Sequence, residues 1–154
     1  ELLNKMTLAK QAVDLCSNTF GQYVVYEAIH HDLLFPHITE IKRLYKEKRD
    51  AMLAAMAEHF PEVAQWNTPE GGLFIWVRLP HSVNTRDMFP KAVANNVAYV
   101  VGQAFSPDGS GSNTMRLNFS HSSNEQIWDG IERLAKVIDQ EMDKKLEPEY
   151  IHVY

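Results

Sequence analysis

Apolar residues recur at helical spacing along most of this chain and alternate strictly with polar ones in one short stretch. Leu2, Met6, Ala9, Val13 and Cys16 stand three or four residues apart, and a second run passes through Tyr23, Ala28 and Ile29. The region from Leu2 to about His31 therefore reads as helical. Ser17, Asn18, Thr19 and Gly21 interrupt the pattern, which predicts two helices, with Asn18 or Thr19 as the second N-cap. A long helix is predicted over about 36–59. Pro36 suits a first turn, and Ile38, Ile41, Leu44, Tyr45, Met52, Leu53 and Met56 keep the period. Its other side carries Lys42, Arg43, Lys46, Glu47, Lys48, Arg49 and Asp50, a charge run that reads as a solvated face.

Beyond Pro61 the pattern changes. Leu73 to Leu79 is rich in β-branched and aromatic residues and is bounded by Gly71-Gly72 and Pro80, so it predicts a strand. The turn Pro69-Glu70-Gly71-Gly72 before it is either a close approach of backbone to a ligand or a plain tight turn. A short helix is predicted from Thr85 or Arg86 to about Asn95, bent or shortened by Pro90. Val97 to Val101 is the next strand, ended by Gly102. Pro107 to Asn113 predicts a mobile loop, and not a phosphate loop, because no lysine follows its glycines and no helix starts there.

Thr114 to Ser120 alternates, placing Met115, Leu117 and Phe119 on one face and Thr114, Arg116, Asn118 and Ser120 on the other. Ser122 and Glu125 form a capping-box pair before Ile127, Ile131, Leu134, Ala135 and Ile138, predicting a helix over about 123–144. Pro148 ends the regular pattern. These elements make an α+β (α/β two-layer) fold: a small three-stranded sheet over about 73–79, 97–101 and 114–120, packed against helices.

Composition narrows the function classes. The chain has 154 residues, 45% apolar and 23% charged, within the range of one soluble domain. A formal charge of −5 without a basic stripe argues against nucleic acid or an anionic membrane as partner. Apolar runs such as Leu73 to Val77 are far too short for a bilayer span, and Lys5, Lys10 and Asp14 stand where a signal peptide needs an apolar centre. A cytoplasmic location is expected. Cys16 is the only cysteine, so the chain forms no internal disulfide. His30, His31 and His37 are close in sequence, yet helical neighbours point about 100° apart and no acidic partner completes a ligand set, so no metal is expected.

Arg116, in the centre of the alternating strand, needs an anionic or carbonyl partner, since an unpaired buried guanidinium is costly. The alternatives are a ligand's carboxylate, the other half of a structural ion pair, and an ordinary exposed arginine, and alternation does not choose among them.

The order and spacing of Pro69-Glu70-Gly71-Gly72-Leu73-Phe74-Ile75-Trp76, Val97 to Gly102 with Phe105, Arg116-Leu117-Asn118-Phe119-Ser120 and Glu125 to Leu134 carry a family resemblance. Lys10-Gln11, the Gln22 region and Tyr45 with Lys48-Arg49-Asp50 extend it over nearly the whole chain. The chain resembles the C-terminal part of class I/II pyridoxal-phosphate-dependent aminotransferases of the aspartate aminotransferase fold type, in the 2-aminoadipate and kynurenine aminotransferase branch. The resemblance implies that Arg116 clamps the substrate α-carboxylate and that Gly72 and Phe74 lie near the substrate side chain, with a core or turn role the alternative for Phe74. It also implies pyridoxal 5'-phosphate, held as a Schiff base on a lysine, with an acidic partner and a phosphate cradle.

None of those cofactor motifs is present, and Lys5 and Lys10 lack the small hydroxylated residues that precede the family's lysine. The expectation is therefore a fragment: helices over 1–35 linking to an absent large domain, and a small C-terminal domain over 36–154. It would hold no catalytic residue, would not bind the cofactor covalently and would not transaminate alone. The full-length form is expected to be a homodimer acting on an α-amino acid and a 2-oxo acid. The alternatives are the effector domain of an aminotransferase-like transcription regulator and a lyase or decarboxylase of the same fold.

Overall fold

The computed structural model describes residues 1–14 and 16–144, so the pattern end at Pro148 lies outside the described residues. The chain divides into two compact units, Glu1–Arg43 and Leu44 onward.

In the first unit, α1 spans Leu2–Val13 and α2 spans Thr19–His30. Asn18 is the cap of α2, its side-chain oxygen accepting from the Gly21 amide at 3.0 Å. Neither helix has a buried residue, and Phe20, Tyr23, Val24, Ala28 and Leu33 line an open apolar hollow. α3 spans Leu34–His59, starting two residues before Pro36 and leaving that proline in the first turn, where its missing amide costs no helical bond.

The second unit takes up the rest of α3, whose buried residues are Met52, Ala55 and Met56. It then forms β1 (Gln65–Trp66), β2 (Phe74–Arg78), α4 (Thr85–Ala94), β3 (Val100–Val101), a 3-10 turn (Gly102–Phe105), β4 (Thr114–Asn118) and α5 (Asn124–Asp143). The sheet order is β1-β2-β4-β3, and every neighbouring pair is antiparallel. The class is α+β as expected, but the sheet has four strands rather than three. The extra strand, β1, is only two residues long, too short for alternation to reveal. Asn67 fastens it, its amide donating to the Trp76 carbonyl at 3.2 Å and its side-chain oxygen accepting from the Trp76 amide at 2.7 Å.

β3 is shorter than the expected 97–101, because Val97 is still tied to the end of α4 through the Ala92 carbonyl and Asn96 takes a φ of 56°. Pro90 sits inside α4 without ending it, and Asn84 caps that helix through the Arg86 amide at 2.9 Å.

The sheet's inner face is Ile75, Val77, Met115 and Leu117, which join Met56, Met88, Phe119, Ile131, Leu134 and Ile138 in one buried cluster with the helices. Each such side chain contributes roughly 1.5–3 kcal/mol by leaving water. α5 begins one residue later than the expected box. Ser123 accepts from the Gln126 amide at 3.3 Å while Gln126 accepts from the Ser123 amide at 2.9 Å. Ser122-x-x-Glu125 and Ser123-x-x-Gln126 both satisfy the pattern, so only the backbone could choose between them.

Candidate functional site

The outer face of the sheet carries Arg116. It lies on β4, between Trp76 on β2 and Val100 on β3, so both flanking strands hold its backbone. Its guanidinium carbon is 3.9 Å from the ring centre of Phe74 and 4.5 Å from that of Phe105. Two aromatic faces at this range attract a cation and restrict its plane, each by roughly 0.5–1 kcal/mol where water still reaches. Phe105 is itself set edge-on against Trp76, ring centres 5.7 Å apart.

The side chain is half-buried and its Nε is fully buried with no hydrogen-bond partner. Among the described residues no carboxylate pairs with it. The guanidinium therefore closes no ion pair among the described residues, and its Nε is shut off from solvent.

Phe74 is 38% exposed, which removes the core alternative for this residue. Gly72 has a φ of 83°, and a Cβ built there would meet nothing within 4 Å. Glycine is needed at this position by the left-handed backbone of the turn and not by crowding.

Phe105 and Trp76 complete the surroundings of Arg116, and neither was singled out as a site residue from the pattern. The signal for Phe105 is an aromatic three residues after the strand-ending Gly102. That glycine is forced by contact: a Cβ on it would stand 1.9 Å from Thr114 Oγ1 and 2.8 Å from the Thr114 carbonyl carbon. The loop after Phe105 is cross-braced. Asp108 accepts from the Ser106 hydroxyl and from the Ser110 amide at 3.0 Å, and these donors, Ser106 foremost, hold its carboxyl well below the usual carboxylate range. Gln103 donates to the Gly109 carbonyl at 2.7 Å. Beside this loop, Trp76, Arg78, Phe105, Ser106, Ser110 and Thr114 border an open hollow of about 280 Å³.

The charge run on α3 is not uniformly solvated, contrary to expectation. Lys48 and Arg49 are half-buried. Lys48 Nζ donates to the carbonyls of Ser120 at 2.8 Å and His121 at 3.4 Å, and Arg49 Nη1 donates to that of Pro69 at 3.0 Å.

β2, β3 and β4, the strands around Arg116, contain neither lysine nor carboxylate, so these strands do not fit a pyridoxal phosphate anchor: they offer no nitrogen for a Schiff base and no acid for a pyridinium nitrogen. His30 and His31 pack edge to face with ring centres 5.5 Å apart, and no group of three or more His, Cys, Asp or Glu among the described residues could hold a metal ion. No helix among the described residues is long and apolar enough to cross a membrane.

The chain is 46% identical to aromatic-amino-acid aminotransferase 1 of Thermococcus litoralis, over 92% of this chain and 34% of that protein. It superposes with a TM-score of 0.88 on the crystal structure of a multiple substrate aminotransferase from Thermococcus profundus, at 46% identity, covering 93% of this chain and 36% of that one. The chain matches a C-terminal part of the pyridoxal-phosphate aminotransferases.

A further aminotransferase structure is the alpha-aminoadipate enzyme of Thermus thermophilus complexed with N-(5'-phosphopyridoxyl)-L-leucine. Its TM-score is 0.79 at 31% identity, over 93% of this chain and 36% of that one. The chain thus spans about a third of the length of the aminotransferases it matches. A weaker match, 25% identical over 90% of this chain and 28% of the other protein, is an uncharacterised helix-turn-helix transcriptional regulator of Bacillus subtilis. No protein-family model matches the chain.

Proposed function

We propose that this chain is the C-terminal part of a transaminase acting between an α-amino acid and a 2-oxo acid, and that Arg116 supplies the clamp for the substrate α-carboxylate. The observation that carries this reading is the half-buried Arg116, whose Nε has no partner and whose guanidinium packs on Phe74 and Phe105. A planar fork gives a carboxylate two parallel charge-assisted hydrogen bonds, which fix both its position and its orientation. Orientation matters because proton removal at Cα requires the breaking bond to be held at a particular angle. The two aromatic rings lower the polarity around the guanidinium on the sides they cover and so strengthen its attraction for the anion. Gly72 and Phe74 border the path of the substrate side chain.

Pyridoxal phosphate supplies the electron sink for such chemistry, and residues outside this chain would have to hold it. The unburied apolar side chains of α1 and α2 support a linking role for residues 1–35, and we propose 36–154 as the small domain and a cytoplasmic homodimer for the full-length protein.

The test is to express the full-length product of the gene and measure 2-oxo acid formation from a broad panel of amino acids. Arg116→Lys is expected to lower kcat/KM by about one to three powers of ten, roughly 1.4–4 kcal/mol. Unaltered efficiency refutes the clamp, and no turnover with any amino acid refutes the transaminase. The match to a transcriptional regulator supports a second reading, an effector domain. Specific DNA retention by a full-length protein without transaminase activity would decide for it.

A further inference from the structure

We propose that Lys48 and Arg49 are positioning residues for the substrate side chain, acting through the two backbone segments at the Phe74–Asn118 end of β2 and β4. This rests on the α-carboxylate reading above. The segments are the Pro69–Gly72 turn, which leads into Phe74, and the Ser120–His121 bend, which follows Asn118. They leave the same end of neighbouring strands, since Phe74 and Asn118 are register partners and the Phe119 amide donates to the Leu73 carbonyl at 3.2 Å. Each segment receives a hydrogen bond from one of two consecutive cations on α3: Pro69 from Arg49 and Ser120 from Lys48.

Arg49 is itself oriented. Its Nε and Nη2 both donate to Asp50 Oδ1, at 2.9 and 2.6 Å, which turns Nη1 toward the Pro69 carbonyl. Asn118 stiffens the second segment, its Oδ1 accepting from the Ser120 amide and hydroxyl, each at 2.8 Å. Lys42 and Lys46, on the same helix, remain exposed, so the bracing falls on one adjacent pair of the run. A half-buried cation that donates to loop carbonyls fixes a backbone in a way that a surface ion pair does not.

The functional consequence follows from Phe74. Its ring lies on Arg116, and the turn that Arg49 holds at Pro69 leads into it. A substrate tethered by its carboxylate directs its side chain past this ring, so loosening the turn penalises large side chains more than small ones. The clamp itself, by contrast, serves all substrates alike.

The experiment uses the full-length protein with Arg49→Gln, Arg49→Lys and Lys48→Met. Each is assayed with phenylalanine and with alanine as amino donors and examined by hydrogen exchange of the segments 69–73 and 120–123. Arg49→Gln and Lys48→Met are expected to raise KM for phenylalanine about three- to tenfold, with kcat and the alanine KM changed less than about twofold. Exchange is expected to quicken in 69–73 for Arg49→Gln and in 120–123 for Lys48→Met. Arg49→Lys, which keeps one charged donor, is expected to recover most of the phenylalanine KM.

Unchanged exchange in these segments overturns the proposal. So does faster exchange with equal losses for both substrates, which marks a structural brace only. If the wild type turns over neither donor nor any other amino acid, the transaminase reading fails and this one with it. If activity depends on Arg116 but not on Lys48 or Arg49, only this one fails.

Discussion

Replacing Arg116 with methionine separates an arginine kept for a ligand from one kept for the fold. The starting state has a buried Nε without a partner and a guanidinium packed on Phe74 and Phe105. Methionine is unbranched, nearly as long, and lies well between aromatic rings. Removing an unsatisfied buried donor recovers about 1–3 kcal/mol. Losing two partly hydrated cation–π contacts costs roughly 0.5–1 kcal/mol each. The net change therefore lies between a loss of about 1 kcal/mol and a gain of about 2 kcal/mol. An arginine that completes a buried ion pair would instead cost about 3–5 kcal/mol when truncated. The assay is urea unfolding of the 154-residue chain, followed by tryptophan fluorescence, with the slope required to match between wild type and variant. A loss of about 3 kcal/mol or more would refute the reasoning, because it would mean that Arg116 is satisfied by the fold itself. In the full-length protein, a 2-oxo acid at about ten times its Kd should raise wild-type stability by about 1.4 kcal/mol and leave the methionine variant unmoved.

Three further outcomes are expected. Gly102→Ala should destabilise the chain by about 1–3 kcal/mol in the same assay, since its Cβ would overlap Thr114. Tyr99→Phe should cost about 1–3 kcal/mol by leaving the Thr85 carbonyl, which accepts from Tyr99 Oη at 2.6 Å, without its buried donor. Burial, with help from the charge of Glu141, raises the Tyr99 hydroxyl pKa above its ordinary value. The associated stability is thus fully present below the unfolded pKa of about 10 and is lost as pH rises beyond it, a slope that thermal melts should find reduced in the Phe variant. Ser123→Ala should cost about 0.5–2 kcal/mol and fray the start of α5, seen as faster amide exchange at Gln126.

Arg116 was legible because strict alternation puts a polar side chain on a known face of a strand, and seven residues suffice to see it. Phe74 was singled out only through the family resemblance, since the strand pattern by itself gives it no role. Phe105 was not singled out at all, because its approach to Arg116 depends on a 3-10 turn, and such a turn has no hydrophobic period of its own. Lys48 and Arg49 show the opposite limit. Helical spacing tells which side of α3 they share, but not that the carbonyls of Pro69 and Ser120 come to meet them from 20 and 72 residues away. β1 escaped because a two-residue strand is defined by its partner, here Val77 and Arg78, and not by its own residues. The cap of α5 escaped because two overlapping boxes were equally good on paper.

The cation of this site is held by elements that are far apart in sequence but locked to one another. Phe74 comes from β2 and Phe105 from the 3-10 turn, while Arg116 stands on the strand between β2 and β3. The turn is keyed to β4 at Gly102, whose missing side chain lets Thr114 approach, and Thr114 Oγ1 in turn donates to the Gly111 carbonyl at 2.7 Å. Any side chain at Gly102 must push the turn off the strand and draw the Phe105 ring away from the guanidinium. A change two residues away from Arg116 in register and fourteen in sequence should therefore reach the clamp. If Gly102→Ala weakened folding while leaving carboxylate affinity in the full-length protein intact, the second aromatic ring would have no part in holding the arginine.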